Sequence, residues 1–356
     1  MASCREKIET AKAVVTALKA KIESEKMRID DVRGFKCDAI LQTLADAPRA
    51  RKTLKGHFGK VYALHWAGSS RDVVSASQDG KLIVWNALTA TMTHAIKLRK
   101  SWVMTCAFEQ SRNELVACGG LDNLCSVYKL NAPQAARAAG ELAGHDGYLS
   151  MCRFVDESTI LTTSGDSTCI RWDVERAKAA PESAVATGTF ADHTGDVMCL
   201  SVDPHNPQRF VTGSCDAHAK VWDARAGHHA VMTFAGHDSD INSVAFFPDG
   251  QSFGSGSDDS TCRCFDLRSL MALNTFKADR VLCGVTSVDF SISGRLLFAG
   301  YDDAAALAWD VSRDGRVHAP VYALGGHDHR VSCLGVAPSG VALCTGSWDT
   351  RLVIWS

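Results

Sequence analysis

Residues 56–85 read GHFGKVYALHWAGSSRDVVSASQDGKLIVW. A Gly-His pair opens the stretch, Asp79 follows in its second half, and Trp85 stands six residues beyond Asp79. The same frame returns along the chain. Its terminal aromatics are Trp85, Tyr128, Trp172, Trp222, Phe265, Trp309 and Trp355, spaced 43, 44, 50, 43, 44 and 46 residues apart. Six residues before each stands an aspartate: Asp79, Asp122, Asp166, Asp216, Asp259, Asp303 and Asp349. Repetition at this period is what four short strands with their turns require. Runs such as Lys81-Leu82-Ile83-Val84-Trp85 alternate and suit strands better than helices. One four-stranded sheet exposes an apolar face and unpaired edges, so the repeats are expected to stack radially into an all-β seven-bladed propeller. The last repeat stops after Trp355, while Lys52 to Lys55, ahead of the first Gly-His, supply sequence for its missing outer strand. The first and last blades are therefore expected to close the ring by sharing.

The repeated polar residues read as architecture. Four positions before the aspartate stand Ser75, Thr162, Thr212, Ser255 and Thr345, in the repeats that carry His57, His145, His193, His237 and His327. The expectation is a buried chain in which the indole of Trp85, Trp172, Trp222 or Trp355 donates to the hydroxyl, the hydroxyl meets histidine, and histidine meets the turn aspartate. Two repeats are irregular. Arg99 and Cys118 occupy the histidine and hydroxyl positions of the second, Ala278 and Ala299 those of the sixth. Losing both members together avoids stranding one buried polar group at a cost of about 1–3 kcal/mol. Asp122 and Asp303 are then expected to satisfy their own turns.

Other features narrow the function. Lysine plus arginine (38) nearly balance aspartate plus glutamate (40), so the chain carries no strong field for nucleic acid or an anionic membrane. No P-loop, dinucleotide-binding glycine pattern or H-E-x-x-H is present, so no enzyme and no cofactor is expected. The 14 cysteines are scattered with no C-x-x-C, which points to reduced thiols in a cytoplasmic setting. Cys262 and Cys264 share a strand face and read as buried thiols rather than metal ligands. No run approaches the roughly 18–20 apolar residues that span a bilayer.

Residues 1–33 contain no glycine, proline or aromatic residue, whereas all 28 glycines lie beyond them. Ile8, Val15, Ile22 and Ile29 recur every seven residues, with Ala11 and Leu18 between. Such a narrow seam on a charged helix seeks a second helix. The expected organisation is a pairing helix at 1–33, a connecting segment at 34–50, and the propeller at 51–356.

Specific strings carry a resemblance that covers nearly the whole chain. These are VVSASQDGKLIVW at 73–85, SWVMTCAF at 101–108, VACGGLDN at 116–123, and further on AGHDGYLS, GHDSDIN, FGSGSDDSTCR, SGRLLFAGYDD, RVSCLGV and TGSWD. In this order and linked to the heptad helix, they make the chain similar to the beta subunit of heterotrimeric G proteins, a WD-repeat family. The resemblance implies an obligate dimer with a gamma subunit, paired along Ile8, Val15, Leu18 and Ile22. It also implies reversible binding of the GDP-bound alpha subunit, effectors regulated by the released pair, and a place in the cytoplasm and at the cytoplasmic face of the plasma membrane, attached only through lipidated partners. Carried onto this chain, the alpha-facing surface uses Phe58, Lys60 and Tyr62, with Lys81 and Ile83 beyond the first turn. Trp102, Met104, Leu121 and Asn123 continue it, and Tyr148, Asp196, Met198, Asp240, Asn242, Asp258 and Trp348 complete it.

The chemistry of these residues suits docking, since aromatic side chains anchor at small entropic cost and charged ones fix registry. Trp348 immediately precedes Asp349, where the other repeats carry Gln78, Leu121, Gly165, Cys215, Asp258 and Asp302. It therefore falls outside the repeated structural set. Departures from the family pattern are Phe58 in place of a usual leucine, the alanine-rich Tyr301–Asp310, and PESAVATG at 181–188, which reads as an extended outer loop open to partner contact. The competing reading is a general WD-repeat scaffold for an assembly unrelated to G proteins.

Overall fold

The computed structural model describes residues 48–131, 138–179, 186–278, 281–312 and 319–356. The pairing helix expected at 1–33 and residues 34–47 of the connecting segment lie outside the described residues.

Seven antiparallel four-stranded sheets form a propeller. Blade 1 runs from its innermost strand Val61–Trp66 through Asp72–Ser77 and Lys81–Asn86 to the outer strand Thr91–Lys97. Blades 2 to 6 repeat this meander from innermost strands Val103–Phe108, Leu149–Phe154, Val197–Val202, Ile241–Phe246 and Val285–Phe290. Blade 7 takes Val331–Val336, Leu343–Ser347 and Arg351–Trp355 from the end of the chain and its outer strand, Ala50–Lys55, from the other side of the ring. Leu54 pairs with Leu352 and Thr53 with Val353. Arg51 Nε reaches the Ser356 carbonyl at 3.1 Å across 305 residues of sequence.

Both faces of a blade are covered by its neighbours. Val74, Ala76, Leu82 and Val84 of blade 1 meet Val103, Cys106, Phe108 and Val116 of blade 2 in one apolar cluster, while Val73, Ile83 and Trp85 pack with Cys344, Leu352 and Ile354 of blade 7. Strand Lys81–Asn86 is consequently buried at four successive positions, Leu82 to Trp85, as expected for strands sandwiched between layers.

The innermost strands have one edge without a partner strand, and side chains cap it. Ser150 donates to the Val197 carbonyl, Thr286 to that of Val331 and Ser332 to that of Val61. Further along the strands, Thr105 Oγ1 accepts from Cys152 N at 3.1 Å and Ser243 Oγ from Val288 N at 3.0 Å. Deepest, His65 Nδ1 accepts from Phe108 N at 2.9 Å, Ser201 Oγ from Phe246 N at 3.0 Å and Asp289 Oδ2 from Val336 N at 2.7 Å. In every case the partner belongs to the next blade around the ring. Burial, with the nearby Arg153 charge, holds His65 well below its ordinary value, so its ring stays neutral and able to accept.

The buried polar chain forms in five blades. His57, His145, His193, His237 and His327 place Nε2 2.7, 2.8, 2.8, 2.6 and 2.8 Å from the hydroxyls of Ser75, Thr162, Thr212, Ser255 and Thr345. Their Nδ1 atoms lie 3.2, 2.8, 2.8, 2.8 and 2.9 Å from Oδ2 of Asp79, Asp166, Asp216, Asp259 and Asp349. Trp85, Trp172, Trp222 and Trp355 donate to the same hydroxyls at 2.8, 2.7, 2.8 and 2.9 Å. One direction satisfies every group: indole to hydroxyl, hydroxyl to Nε2, and Nδ1–H to carboxylate. In blade 5, Phe265 stands in the tryptophan position and the His237–Ser255 contact persists, so the chain does not depend on the indole.

The irregular blades behave differently from full compensation. Asp122 and Asp303 do accept the turn N–H groups of Leu124 and Ala305, at 3.4 and 3.2 Å. The indole N–H of Trp309, however, has no Ser or Thr hydroxyl to meet, because Ala299 stands at that position; its neighbouring polar group is the Tyr301 hydroxyl, in poor alignment. The long interval before Trp222 also differs from the expected loop. A helical turn, Val174–Ala179, follows the third strand of blade 3, and Ala186 to Gly188 already belong to the outer strand Ala186–Ala191.

Burial alone raises the Asp216 carboxyl, but the His193 contact and the N–H groups of Thr194 and His218 outweigh it and hold the group well below the ordinary range. The same balance, with histidine and threonine donors, lowers Asp166 and Asp259. Such carboxylates contribute stability above their unfolded value near ~3.9 and lose it as pH falls toward the lower folded value. Acid unfolding of the full chain should therefore steepen below about pH 4, and Asp216→Ala should flatten that slope in thermal melts. At neutral pH, Asp216→Ala should destabilise by about 1–3 kcal/mol for each group it orphans, read as a lowered urea midpoint; an unchanged midpoint refutes the network account.

Candidate docking surface

The turns that carry the structural aspartates and the starts of the innermost strands meet at one end of the ring, around the mouth of a central channel of about 400 Å³. Tyr62, Met104, Met198 and Asn242, second residues of their innermost strands, line that channel. Position within the repeat thus decides which side chains reach the mouth.

An aromatic cluster crosses from blade 7 to blade 2. Tyr62 lies 6.0 Å from Trp348 and 6.4 Å from Trp102, ring centre to ring centre. Lys60 Nζ sits 3.7 Å above the Trp348 ring and the Arg330 guanidinium 4.9 Å from it, so two cations bracket one indole. The Trp348 ring is half-buried and its N–H finds no partner among the described residues. Phe58 is 83% exposed, with Lys81 Nζ 4.7 Å above its ring. Trp102, 44% exposed, has φ +65°. A left-handed backbone costs a bulky residue about 1–2 kcal/mol, and here the Leu121 N–H, bonded to the Trp102 carbonyl at 3.3 Å, helps to hold it. Leu121 is itself 54% exposed, and Asn123, also at positive φ, donates to the Asp146 carbonyl at 3.1 Å.

The opposite arc is acidic. The Tyr148 hydroxyl donates to Asp196 Oδ2 at 2.9 Å and lies 3.4 Å from Met198 Sδ; burial, then the Asp196 contact, pushes its phenol upward. Asn242 Nδ2 bridges Asp258 Oδ1 at 2.6 Å and the Val285 carbonyl at 2.9 Å. Burial and the neighbouring Asp240 raise the Cys215 thiol to about 12. The mouth therefore presents lysine, arginine and aromatic rings on blades 1, 2 and 7, and Asp196, Asp240 and Asp258 on blades 4 and 5.

Ile83 does not join this surface. It is 1% exposed, inside the cluster shared by blades 1 and 7, since both faces of its strand are packed. Conversely, Arg330 and His329 are missed by the residue-by-residue reading. His329 lies 5.6 Å from the Trp348 ring, and Arg330 makes a charge contact with Asp302 at 2.7 Å. Repeat alignment contains the signal, because Arg330 precedes Val331 as Lys60 precedes Val61.

Among the described residues no group of three or more His, Cys, Asp or Glu side chains is placed to hold a metal ion, and no helix is long and apolar enough to cross a membrane. Cys262 and Cys264 are both buried, and burial raises the Cys264 thiol to about 12.

Residues 8–356 match the family described as G protein beta WD-40 repeat protein. A guanine nucleotide-binding protein subunit beta from Solanum tuberosum is 44% identical over 371 residues, covering 100% of this chain and 97% of that protein. The corresponding subunit from Oryza sativa subsp. japonica is 49% identical over 318 residues, covering 86% and 82%, and that from Arabidopsis thaliana is 47% identical over 315 residues, with the same coverage. This chain therefore belongs to the G protein beta WD-40 repeat family, and its role is that of a non-catalytic, protein-binding transducer in the heterotrimeric G-protein system.

Proposed function

We propose that the channel mouth is the docking surface for a GDP-bound G-protein alpha subunit, and that release of that subunit frees the same surface for effectors. The observation that carries this reading is the half-buried Trp348, bracketed by Lys60 and Arg330 and packed on Tyr62. A large ring held in place before binding gives contact area at little entropic cost. The basic and acidic arcs on opposite sides of the mouth supply an orientation that apolar contact alone does not. Phe58, Lys81, Trp102, Met104, Leu121 and Asn123 extend the aromatic side, and Tyr148, Asp196, Met198, Asp240, Asn242 and Asp258 the acidic one.

The division into a helix at 1–33, a connection at 34–50 and a propeller at 51–356 belongs to this proposal. The helix pairs with a gamma subunit through Ile8, Val15, Leu18 and Ile22, and the dimer sits at the cytoplasmic face of the plasma membrane through lipid on its partners. The likeness to subunits named beta over nearly the full chain supports this reading.

Trp348→Ala and Lys60→Ala should each weaken binding of GDP-loaded alpha subunit about 10-fold or more, the scale of a buried aromatic or charged anchor. Surface plasmon resonance on the gamma-bound protein checks this, and equal affinity in both variants removes their role. Val15→Asp combined with Leu18→Asp should abolish co-purification of gamma, whereas undiminished recovery of the dimer rejects the seam.

A further inference from the structure

Blades 2 and 6 both lack the histidine and its hydroxyl, yet they differ in what fills the space. In blade 6, Tyr301 is fully buried and packs in one cluster with Ala278, Ala299 and Trp309. The equivalent residue of blade 2 is Gly120, where an added Cβ would stand 2.1 Å from the Trp102 carbonyl oxygen. No side chain can enter from that position. Arg99, at the histidine position, turns outward: its side chain is exposed and pairs with Glu141 at 3.0 Å. Tyr128 is shorter than the tryptophan of other blades. A cavity of about 140 Å³ remains, walled by Leu98, Val103, Cys118, Leu124 and Tyr128, with Asp122 and the Arg99–Glu141 pair as its charged lining and its mouth beside Trp102.

The carboxylate shows what is missing. In blade 1, Asp79 Oδ2 receives both His57 Nδ1 and the Phe58 N–H, at 3.2 and 2.9 Å, and the other complete blades repeat the arrangement, as with Asp166, His145 and Asp146. Asp122 receives only the Leu124 N–H, through Oδ1, and no donor among the described residues reaches Oδ2. A carboxylate oxygen with open acceptor capacity thus lines a partly apolar slot at the place where five blades hold an imidazole ring. An apolar cavity of ~150 Å³ accommodates benzene, so the volume suits a five-membered ring.

We propose that the blade 2 cavity is a binding site for small planar N–H heteroaromatics of the imidazole class, with one ring N–H on Asp122 Oδ2 and the other nitrogen facing the Cys118 thiol. The ligand takes the position that histidine takes in the complete blades. Burial keeps the Cys118 thiol protonated, so its S–H is a weak donor toward the second nitrogen. Leu98, Leu124 and Tyr128 cover the ring faces and edges. The carboxylate distinguishes this ligand from a plain hydrocarbon, because a charge-assisted hydrogen bond is about twice as strong as a neutral one.

Saturation-transfer NMR with free imidazole on the full chain, together with whatever subunit it is purified with, tests the site. The expected result is transfer to the imidazole ring protons and a melting temperature that rises with imidazole at constant ionic strength. Asp122→Asn should weaken the binding about 10-fold, in keeping with loss of a charge-assisted bond, while Asp303→Asn, in the blade filled by Tyr301, should leave it unchanged. Arg99→His with Cys118→Ser should rebuild the ring and hydroxyl from within and abolish binding; if that variant does not fold, the two Asn variants decide. Absence of transfer in the wild type, equal binding in Asp122→Asn, or benzene binding as well as imidazole each overturns the proposal.

Discussion

A strand at the edge of a sheet presents N–H and carbonyl groups that demand partners, and a propeller carries such an edge on the channel side of every blade. No further strand fits there. The molecule answers with hydroxyls, an imidazole and a carboxylate that reach from one innermost strand to the backbone of the next, as Thr105 does to Cys152 and Asp289 to Val336. Each cap does two things at once: it satisfies a backbone group and fixes the angle between adjacent blades. Rigidity of the channel wall is therefore a property of the whole ring. The ring itself is closed once, where Ala50–Lys55 completes blade 7.

The His–Asp chains work at the other side of the same turns. By anchoring the aspartate, they fix where the preceding residue emerges, yet they place no demand on its identity. In the five blades that carry the chain, Gln78, Gly165, Cys215, Asp258 and Trp348 occupy this one position. Recognition chemistry can thus vary at the mouth while the polar chain beneath it stays the same, which is how one repeat frame supports an aromatic and basic arc beside an acidic one. In blade 2, which lacks the chain, the left-handed Trp102 is held instead by the Leu121 N–H on its carbonyl.

Much of this is legible in the sequence because the polar chain is spelled at fixed offsets: hydroxyl, aspartate four later, aromatic six beyond that. Blade number and ring closure follow from the same spacing. The mouth residues follow less surely. Ile83 is placed on the surface by the family resemblance alone, but here neighbouring blades cover both faces of its strand. The helical turn Val174–Ala179 sits in an insertion outside the repeat, where periodicity carries no information. The inter-blade caps use serine, threonine, histidine and aspartate with no shared motif, since any short acceptor or donor serves. The poorly aligned indole of Trp309 and the void in blade 2 are likewise invisible residue by residue, because both are properties of space between side chains.

Closure of the ring by Ala50–Lys55 against Arg351–Trp355 has a temporal consequence. The strand synthesised first among the propeller's elements pairs with the one synthesised last, so blade 7 cannot assemble until Arg351–Trp355 has left the ribosome. Until then the early strand waits with both edges bare, and the six interior blades stand as an open arc. Contacts of such sequence separation form slowly and leave sheet edges available to other chains. Folding of this propeller is accordingly a problem of protecting an unfinished circle until its two distant strands meet.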